Sequence, residues 1–314
     1  MIRIGCVNFD TSHPLAFSGI LREGTRARYV ALYNDSFRED DEVEAFIANH
    51  ELEKRCSTVE EMAQMVDVGF VQGTDWDSHL KYAQPFIDAG KYVFIDKPFV
   101  GKISDCAKVE ALAASGAKIL GCSSVRYAYE IRDFLAIPVE ERGEVISVFG
   151  TAGVNEFDYA CHIVEGIGGL MGPGAESARF CGAGEAGGKR TETYFIQYED
   201  GRSATFQTCH GTWQPFEMVI TTTKTTYQFR IDTNQIYRAL LERLCDAVES
   251  GASEIVPVSE ITESVKIMLA GRVSRDERDG HPVALTDIPA DDPGFDGAAF
   301  EKQYGAAARK IYLG

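Results

Sequence analysis

The sequence predicts an α/β protein whose first part is a doubly wound parallel sheet and whose second part is an α+β domain with an open, largely antiparallel sheet. Three observations predict it. Short apolar runs alternate with helical patterns over roughly the first 120 residues, as βαβ units do. One of those runs, Tyr92-Val93-Phe94-Ile95, ends on Asp96-Lys97-Pro98, placing an ammonium at the mouth of a sheet, where open α/β sheets bind small molecules. After Ser123, strands come in a row and are followed by helices, which marks a separate α+β unit. The expected division is 1–123 and 124–314.

The elements follow in order. Ile2–Val7 reads as the first strand, and Pro14 suits the first turn of the helix behind it. Tyr29–Tyr33 is a second strand ending at Asn34-Asp35, and a very short third lies near Cys56. Ser57-x-x-Glu60 and Thr58-x-x-Glu61 both fit a capping box, so a helix starts there. Val68–Val71 is a fourth strand, and the helix after it runs from about Ser78 to Gly90, a natural helix stop. A helix ending near Gly116 and a strand from Lys118 complete this Rossmann-like part. Beyond it the pattern predicts a connecting helix over Arg126–Leu135, a strand over Glu144–Phe149 and a helix over Asn155–Leu170. Four strands are expected at Thr191–Tyr198, Ser203–Cys209, Phe216–Thr223 and Thr226–Ile231, then helices at Gln235–Glu249 and Ser259–Val273. The glycine-rich stretch Gly172–Gly188 reads as a mobile loop.

Composition narrows the function. The 314 residues carry 31 Lys and Arg against 48 Asp and Glu, a net charge of −17, which repels nucleic acid and anionic membrane. No apolar run reaches membrane-span length, and the N-terminus turns polar at Asn8, so a cytoplasmic protein is expected. The eight cysteines form no C-x-x-C pair, and Cys161-His162 and Cys209-His210 lack metal-ligand spacing; no metal site is expected.

A dinucleotide site needs a glycine-rich turn after the first strand. The corresponding residues are Asn8, Phe9, Asp10, Thr11, Ser12 and His13, and all three glycines of G-x-G-x-x-G are missing. Asn8 tolerates the left-handed turn of the first glycine, whereas the charge of Asp10 would face the pyrophosphate. Thr11 and Ser12 offer hydroxyls at a helix N-terminus, itself an anion site. Asn34 and Asp35 stand where an acid bonds the adenosine ribose. Asp35 favours NAD, and Arg38 keeps NADP open. Asp158 and His162 are i and i+4 on the expected helix, and a histidine held by a carboxylate can act as a general base.

Asp96-Lys97-Pro98 followed by Asp158-x-x-x-His162 resembles the Gfo/Idh/MocA oxidoreductase family, with its Glu-Lys-Pro and Asp-x-x-x-His motifs. Thr74–His79, Ala89–Val93 and the late stretch Val258–Leu285 look like further parts of it, so the resemblance spans nearly the whole chain. It departs in Asp96 for glutamate, in a glycine run reduced to Gly150 and Gly153, in a short spacing from Lys97 to Asp158, and in the lost glycine fingerprint. The resemblance implies an NAD(P)-dependent dehydrogenase of a sugar, polyol or related secondary alcohol. In it His162 removes the hydroxyl proton, Lys97 stabilises the oxyanion, and Asp158 orients His162 or binds a second hydroxyl. Gly73, Thr74, Asp75, His79, Asp96 and Lys97 would join the cofactor site, with His79 fixing the loop beneath the nicotinamide. Arg126 and Tyr127 would line the substrate pocket. A homodimer or homotetramer is implied by analogy. A redox-neutral lyase or glycosidase with tightly held NAD, and a ligand-binding protein without turnover, stay open beside it.

Overall fold

Parallel strands buried on both faces read as unbroken apolar runs, and β4 (Val68–Val71) and β5 (Tyr92–Ile95) are apolar or glycine throughout and fully buried in the computed structural model, which describes residues 1–121, 123–308 and 311. The other elements of the first sheet and its covering are β1 (Ile2–Val7), α1 (His13–Glu23), β2 (Ala27–Tyr33), α2 (Asp40–His50), β3 (Lys54–Arg55), α3 (Val59–Met65), α4 (His79–Asp88), α5 (Ile103–Ala114) and β6 (Lys118–Gly121). All pairs are parallel, in the order β3-β2-β1-β4-β5-β6. The order reverses between β1 and β4, so their carboxyl ends open the crevice in which such sheets bind ligands. The expected caps are present. Thr58 Oγ1 accepts from the Glu61 amide at 3.1 Å, Glu61 accepts from the Ser57 amide at 2.7 Å, and Gly90 closes α4 with φ 67°.

The second part contains α6 (Tyr129–Ala136), α7 (Val139–Arg142), β7 (Val145–Val154), α8 (Ala160–Met171), β8 (Ala175–Ala186), β9 (Lys189–Tyr198), β10 (Ser203–His210), β11 (Glu217–Thr222), β12 (Thr226–Arg230), α9 (Ile236–Ser250), α10 (Val258–Glu277), β13 (Val283–Ala284) and α11 (Gly297–Ala307). Its seven strands form a mixed sheet, β12-β11-β7-β10-β9-β8-β13, in which only β7 and β10 run parallel.

Three expectations need correction. The glycine-rich stretch 172–188 is not a loop: most of it is β8, with Gly187 and Gly188 (φ 57° and 72°) forming a two-residue hairpin turn and Gly182 lying at a register shift. The helix expected over Arg126–Leu135 is broken at Ala128, whose extended ψ of 140° separates a 3₁₀ turn (Ser124–Tyr127) from α6. The helix expected from Asn155 starts at Ala160, because Val154 takes φ 70° and Asn155 Oδ1 caps a turn by accepting from the Tyr159 amide at 3.1 Å.

The two faces of the first sheet bury different clusters. Ile4, Cys6, Phe70 and Phe94 pack with Phe17 of α1 and Leu240 and Leu244 of α9. Val71, Val93 and Ile95 pack with Met62 and Phe86, and this core continues through α8 and α10 to the second sheet. Gly69, in β4, sits under Phe86: a Cβ there would lie 2.4 Å from the ring. Gly69→Ala is therefore expected to cost about 1–3 kcal/mol by overpacking, read as a lower urea midpoint at unchanged slope; an unshifted midpoint would show that Phe86 gives way freely. No helix among the described residues is long and apolar enough to cross a membrane.

Candidate active site

The turn after β1 keeps its shape without glycine. Asn8 takes φ 55°, and its side chain is locked to Asp35, donating to Oδ1 at 3.1 Å and accepting from the Asp35 amide at 3.0 Å. Phe9 turns into the core against Phe46. Asp10 is also turned inward, away from the place a pyrophosphate would take. Its carboxylate accepts from the Thr74 amide at 2.7 Å, from Thr74 Oγ1 at 3.0 Å and from Ser36 Oγ. Burial raises its pKa, and these donors work against that rise. Arg38 donates to the Asp10 carbonyl and pairs with Glu42 at 2.9 Å, so its guanidinium is engaged in the protein interior. Asp35 also accepts from Tyr82 (2.7 Å) and Tyr33 (3.0 Å), while Asn34 donates to the Arg38 carbonyl at 3.1 Å.

At the end of β5, Asp96 is buried and accepts three bonds: from its neighbour's amide (Lys97, 2.7 Å), from Gln72 Nε2 (3.1 Å) and from His13 Nδ1 (2.9 Å). Burial opposes its charge, but His13 and Lys97 outweigh burial and hold its pKa at about 2. An ionised carboxylate only accepts, so His13 Nδ1 carries the proton in this bond. The Lys97–Pro98 bond is cis. Lys97 reaches across to the second part of the chain, where its Nζ lies 2.7 Å from Asp158 Oδ1 and 5.4 Å from the Tyr159 ring centroid. Burial works against its charge as well, but Asp158 reverses the effect and raises the lysine above its ordinary range.

His162 stands on α8 with Nδ1 2.6 Å from Ser123 Oγ. Burial, with the charges of Lys97 and His13, pushes its pKa well below the ordinary value, so the ring is neutral at pH 7. Asp158 is not its orienting group. Asp158 precedes α8 and turns to Lys97, since a buried ammonium binds a carboxylate more strongly than a neutral imidazole does. Ser123 takes the orienting place. The sequence contains no signal for that pairing, which spans 39 positions.

These groups line one cavity of about 170 Å³ that includes Thr11, Ser12, His13, Lys97, Asp158 and His162. Arg126 and Tyr127 are elsewhere: they line a separate cavity of about 620 Å³, where Arg126 is buried and paired with Glu165 (3.3 Å) and Glu260. A guanidinium between two acids holds the 3₁₀ turn against α8 rather than reaching the Lys97 cavity. His79 is buried between the carbonyls of Gly73 (2.9 Å) and Phe99 (3.1 Å), tying together the loops after β4 and β5. Asp75 caps the short turn Trp76–Ser78 by accepting from the Asp77 amide at 3.1 Å. Among the described residues no group of acids, histidines and cysteines could hold a metal.

Helix α11 adds residues that neither the lysine motif nor the first turn points to. α11 is capped by Asp296, which accepts from the Ala299 amide at 2.8 Å. Phe300 packs on Trp76 with ring centroids 4.9 Å apart, and Tyr304 on Phe37 at 6.1 Å. Glu301 lies among Asp10, Asp75 and Asp35, and burial together with these charges pushes its pKa up to about 7. α11 thus crosses the carboxyl ends of β2, β1 and β4, over the crevice. The turn at Asn8, the hydroxyls of Thr11 and Ser12 and the acid Asp35 suit a dinucleotide, and Phe300 and Tyr304 of α11 line the same cavity as Thr11, Ser12, Lys97 and His162. The signals were an Asp-Gly helix start at 296–297 and aromatic residues four apart at 300 and 304.

Residues 4–123 match the family model GFO_IDH_MocA, described as "Oxidoreductase family, NAD-binding Rossmann fold". No curated protein matches the chain. Among solved structures, a probable dehydrogenase from Thermotoga maritima is similar at TM-score 0.77 and 15% identity, over 92% of this chain and 100% of that one. A myo-inositol dehydrogenase from Lactobacillus casei, in complex with NAD(H) and myo-inositol, is similar at 0.77 and 14%, over 90% and 96%. A scyllo-inositol dehydrogenase from the same organism, with NAD(H) and scyllo-inositol, is similar at 0.71 and 16%, over 91% and 99%. Likeness at these identities is likeness of fold.

Proposed function

We infer that this chain, which belongs through residues 4–123 to the Gfo/Idh/MocA oxidoreductase family with its NAD-binding Rossmann fold, is an NAD-dependent dehydrogenase of a secondary alcohol on a polyol, sugar or related small molecule. One observation carries the reading: a charged lysine and a neutral histidine, Lys97 and His162, line the same cavity from the two parts of the chain. NAD, when bound, supplies the acceptor for the hydride. The residues that would hold it are the Asn8 turn, Thr11, Ser12 and Asp35.

The rest is done by the chain's own side chains. His162 keeps its ring oriented through Ser123 and accepts the hydroxyl proton on Nε2. Lys97, held charged by Asp158, donates to the oxygen as negative charge builds on it. Asp158 is thus assigned to Lys97 and not to His162. His13, fixed by Asp96, lines the same cavity beside Lys97. Arg38 is spent on Glu42 and the Asp10 carbonyl, and the charge of Asp35 at the end of β2 repels a 2′-phosphate, so both favour NAD over NADP. Exposed Ile146 and Phe149 on β7 support self-association through the second sheet, which sedimentation would read.

The test is growth of reduced-nicotinamide absorbance when NAD and a panel of inositols and sugars are added. Absorbance with one of them and greater efficiency with NAD than NADP is the expected result. Product formed without net reduction would instead favour redox-neutral chemistry. For whichever substrate turns over, kcat/KM for the alcohol at saturating NAD is expected to stay level from pH 8 to below pH 6.5, because His162 resists protonation there. A fall centred near the ordinary histidine value would remove His162 as the base.

A further inference from the structure

Helix α11 lies against the residues suited to a dinucleotide: Phe300 and Tyr304 line one cavity with Thr11, Ser12 and His13. The helix runs from Trp76 and Asp77, beyond β4, to Phe37, beyond β2, and Gly297 donates to Asp77 Oδ2 at 3.2 Å. Its approach is close. A Cβ on Gly305 would lie 2.9 Å from Phe37, and one on Gly297 2.6 Å from Asp75. Yet its attachment is thin: Gly297 is its only buried residue, its holds are the Gly297 bond, two close glycines and two aromatic pairs, and its central acid Glu301 faces three others. Helices with few buried contacts open at low free energy.

We propose that α11 is a displaceable occupant of the nucleotide crevice, so that the helix and the dinucleotide exclude each other and the cofactor binds only as α11 lifts away. This rests on the NAD reading above. It gives the chain a way to hold its crevice closed by itself. Where the competent state is a fraction of the population, apparent affinity falls by that fraction, and loosening the helix restores it.

Charge gives the device a direction. Glu301 is faced by Asp10 from the β1–α1 turn, Asp35 from the end of β2 and Asp75 from the end of β4. The cations that act on the neighbouring Tyr304 are both engaged: Arg38 is paired with Glu42 and bonded to the Asp10 carbonyl, and Lys97 is paired with Asp158. Ionising Glu301 adds a fourth negative charge, so the docked helix holds best with Glu301 protonated. It loosens as pH rises from the ordinary glutamate range through about 7. Glu301→Gln removes that charge and should hold α11 down at pH 8.

The experiment is a calorimetric titration with NAD at pH 8, paired with amide hydrogen exchange over 297–307. In the wild type, NAD is expected to speed exchange of α11. Phe300→Ala with Tyr304→Ala should speed it without NAD and tighten NAD binding about tenfold. Glu301→Gln, which removes no packing, should slow exchange and weaken NAD binding several-fold. NAD binding that leaves α11 exchange unchanged or slower would overturn the competition while the cofactor reading stands. No heat with NAD even in the variant whose α11 exchanges freely would sink the cofactor reading and the competition with it.

Discussion

Replacing Lys97 with methionine is expected to lower kcat by roughly 10²–10³, the cost of losing one preorganised donor to a developing oxyanion. The alkyl stem and its packing are largely kept, so the change falls on the charge. The Lys97 side chain is 9% exposed, and its ammonium is the partner of Asp158 at 2.7 Å. Removing it leaves a carboxylate buried without a counter-ion, which typically costs about 3–5 kcal/mol of stability. The single variant therefore confounds chemistry with folding. Lys97→Met combined with Asp158→Asn separates them, because the leftover charge is gone. The double variant is expected to recover much of the urea midpoint and none of the turnover. Activity within tenfold of wild type in a folded double variant would take Lys97 out of the mechanism.

What the sequence made legible was local. The run into Lys97 is four buried apolar residues, and Thr58, Glu61 and Gly90 bond to neighbours a few positions away, so their patterns are written along the chain. What it hid was partnership across the fold. Asp10 looked like a charge facing a pyrophosphate, yet it is satisfied by Thr74, 64 residues on. His13 replaces the last fingerprint glycine and meets Asp96 across 83 residues. Asp158 and His162 do line one cavity, but their spacing does not show that Lys97 draws the carboxylate and leaves the imidazole to Ser123. The resemblance implies Arg126 as substrate-pocket lining, whereas Glu165 and Glu260 decide where a buried guanidinium goes.

The glycine-rich 172–188 stretch failed for another reason. Glycine marks a turn or a bulge as readily as a loop, and here it serves both within a hairpin. The α11 segment is short and contains alanine and glycine at six of its eleven positions, so its apolar face is hard to see without Trp76 and Phe37 beneath it. The lost fingerprint and the covering helix fall on the same crevice. The turn that lacks the glycines lines one cavity with Phe300 and Tyr304 of α11.

Asp158→Asn is expected to turn a pH-independent lysine into a titrating one. In the wild type the pKa of Lys97 is raised: burial opposes the charge, and Asp158 more than offsets it, with Asp96 helping. A cation whose folded pKa is raised adds stability that is fully present below its unfolded value near 10.4 and is lost only as pH passes the folded value. At pH 7 the pair thus contributes in full, and kcat/KM has no basic limb from Lys97 in the usual assay range. Asparagine keeps the shape and removes the counter-charge, so burial alone then pushes the lysine down, by up to about 3–5 units for a fully buried amine and by less here because Asp96 remains. The expected result is a new fall in kcat/KM above about pH 8, with turnover at lower pH nearer to wild type. Stability at pH 7 should drop by about 3 kcal/mol, and the deficit should narrow toward alkaline pH as the lysine sheds its proton. Lys97→Arg on the Asp158→Asn background abolishes the new limb if Lys97 is its source, since a guanidinium does not titrate there. A wild-type pH profile in Asp158→Asn would mean that the ammonium is held charged by something other than Asp158.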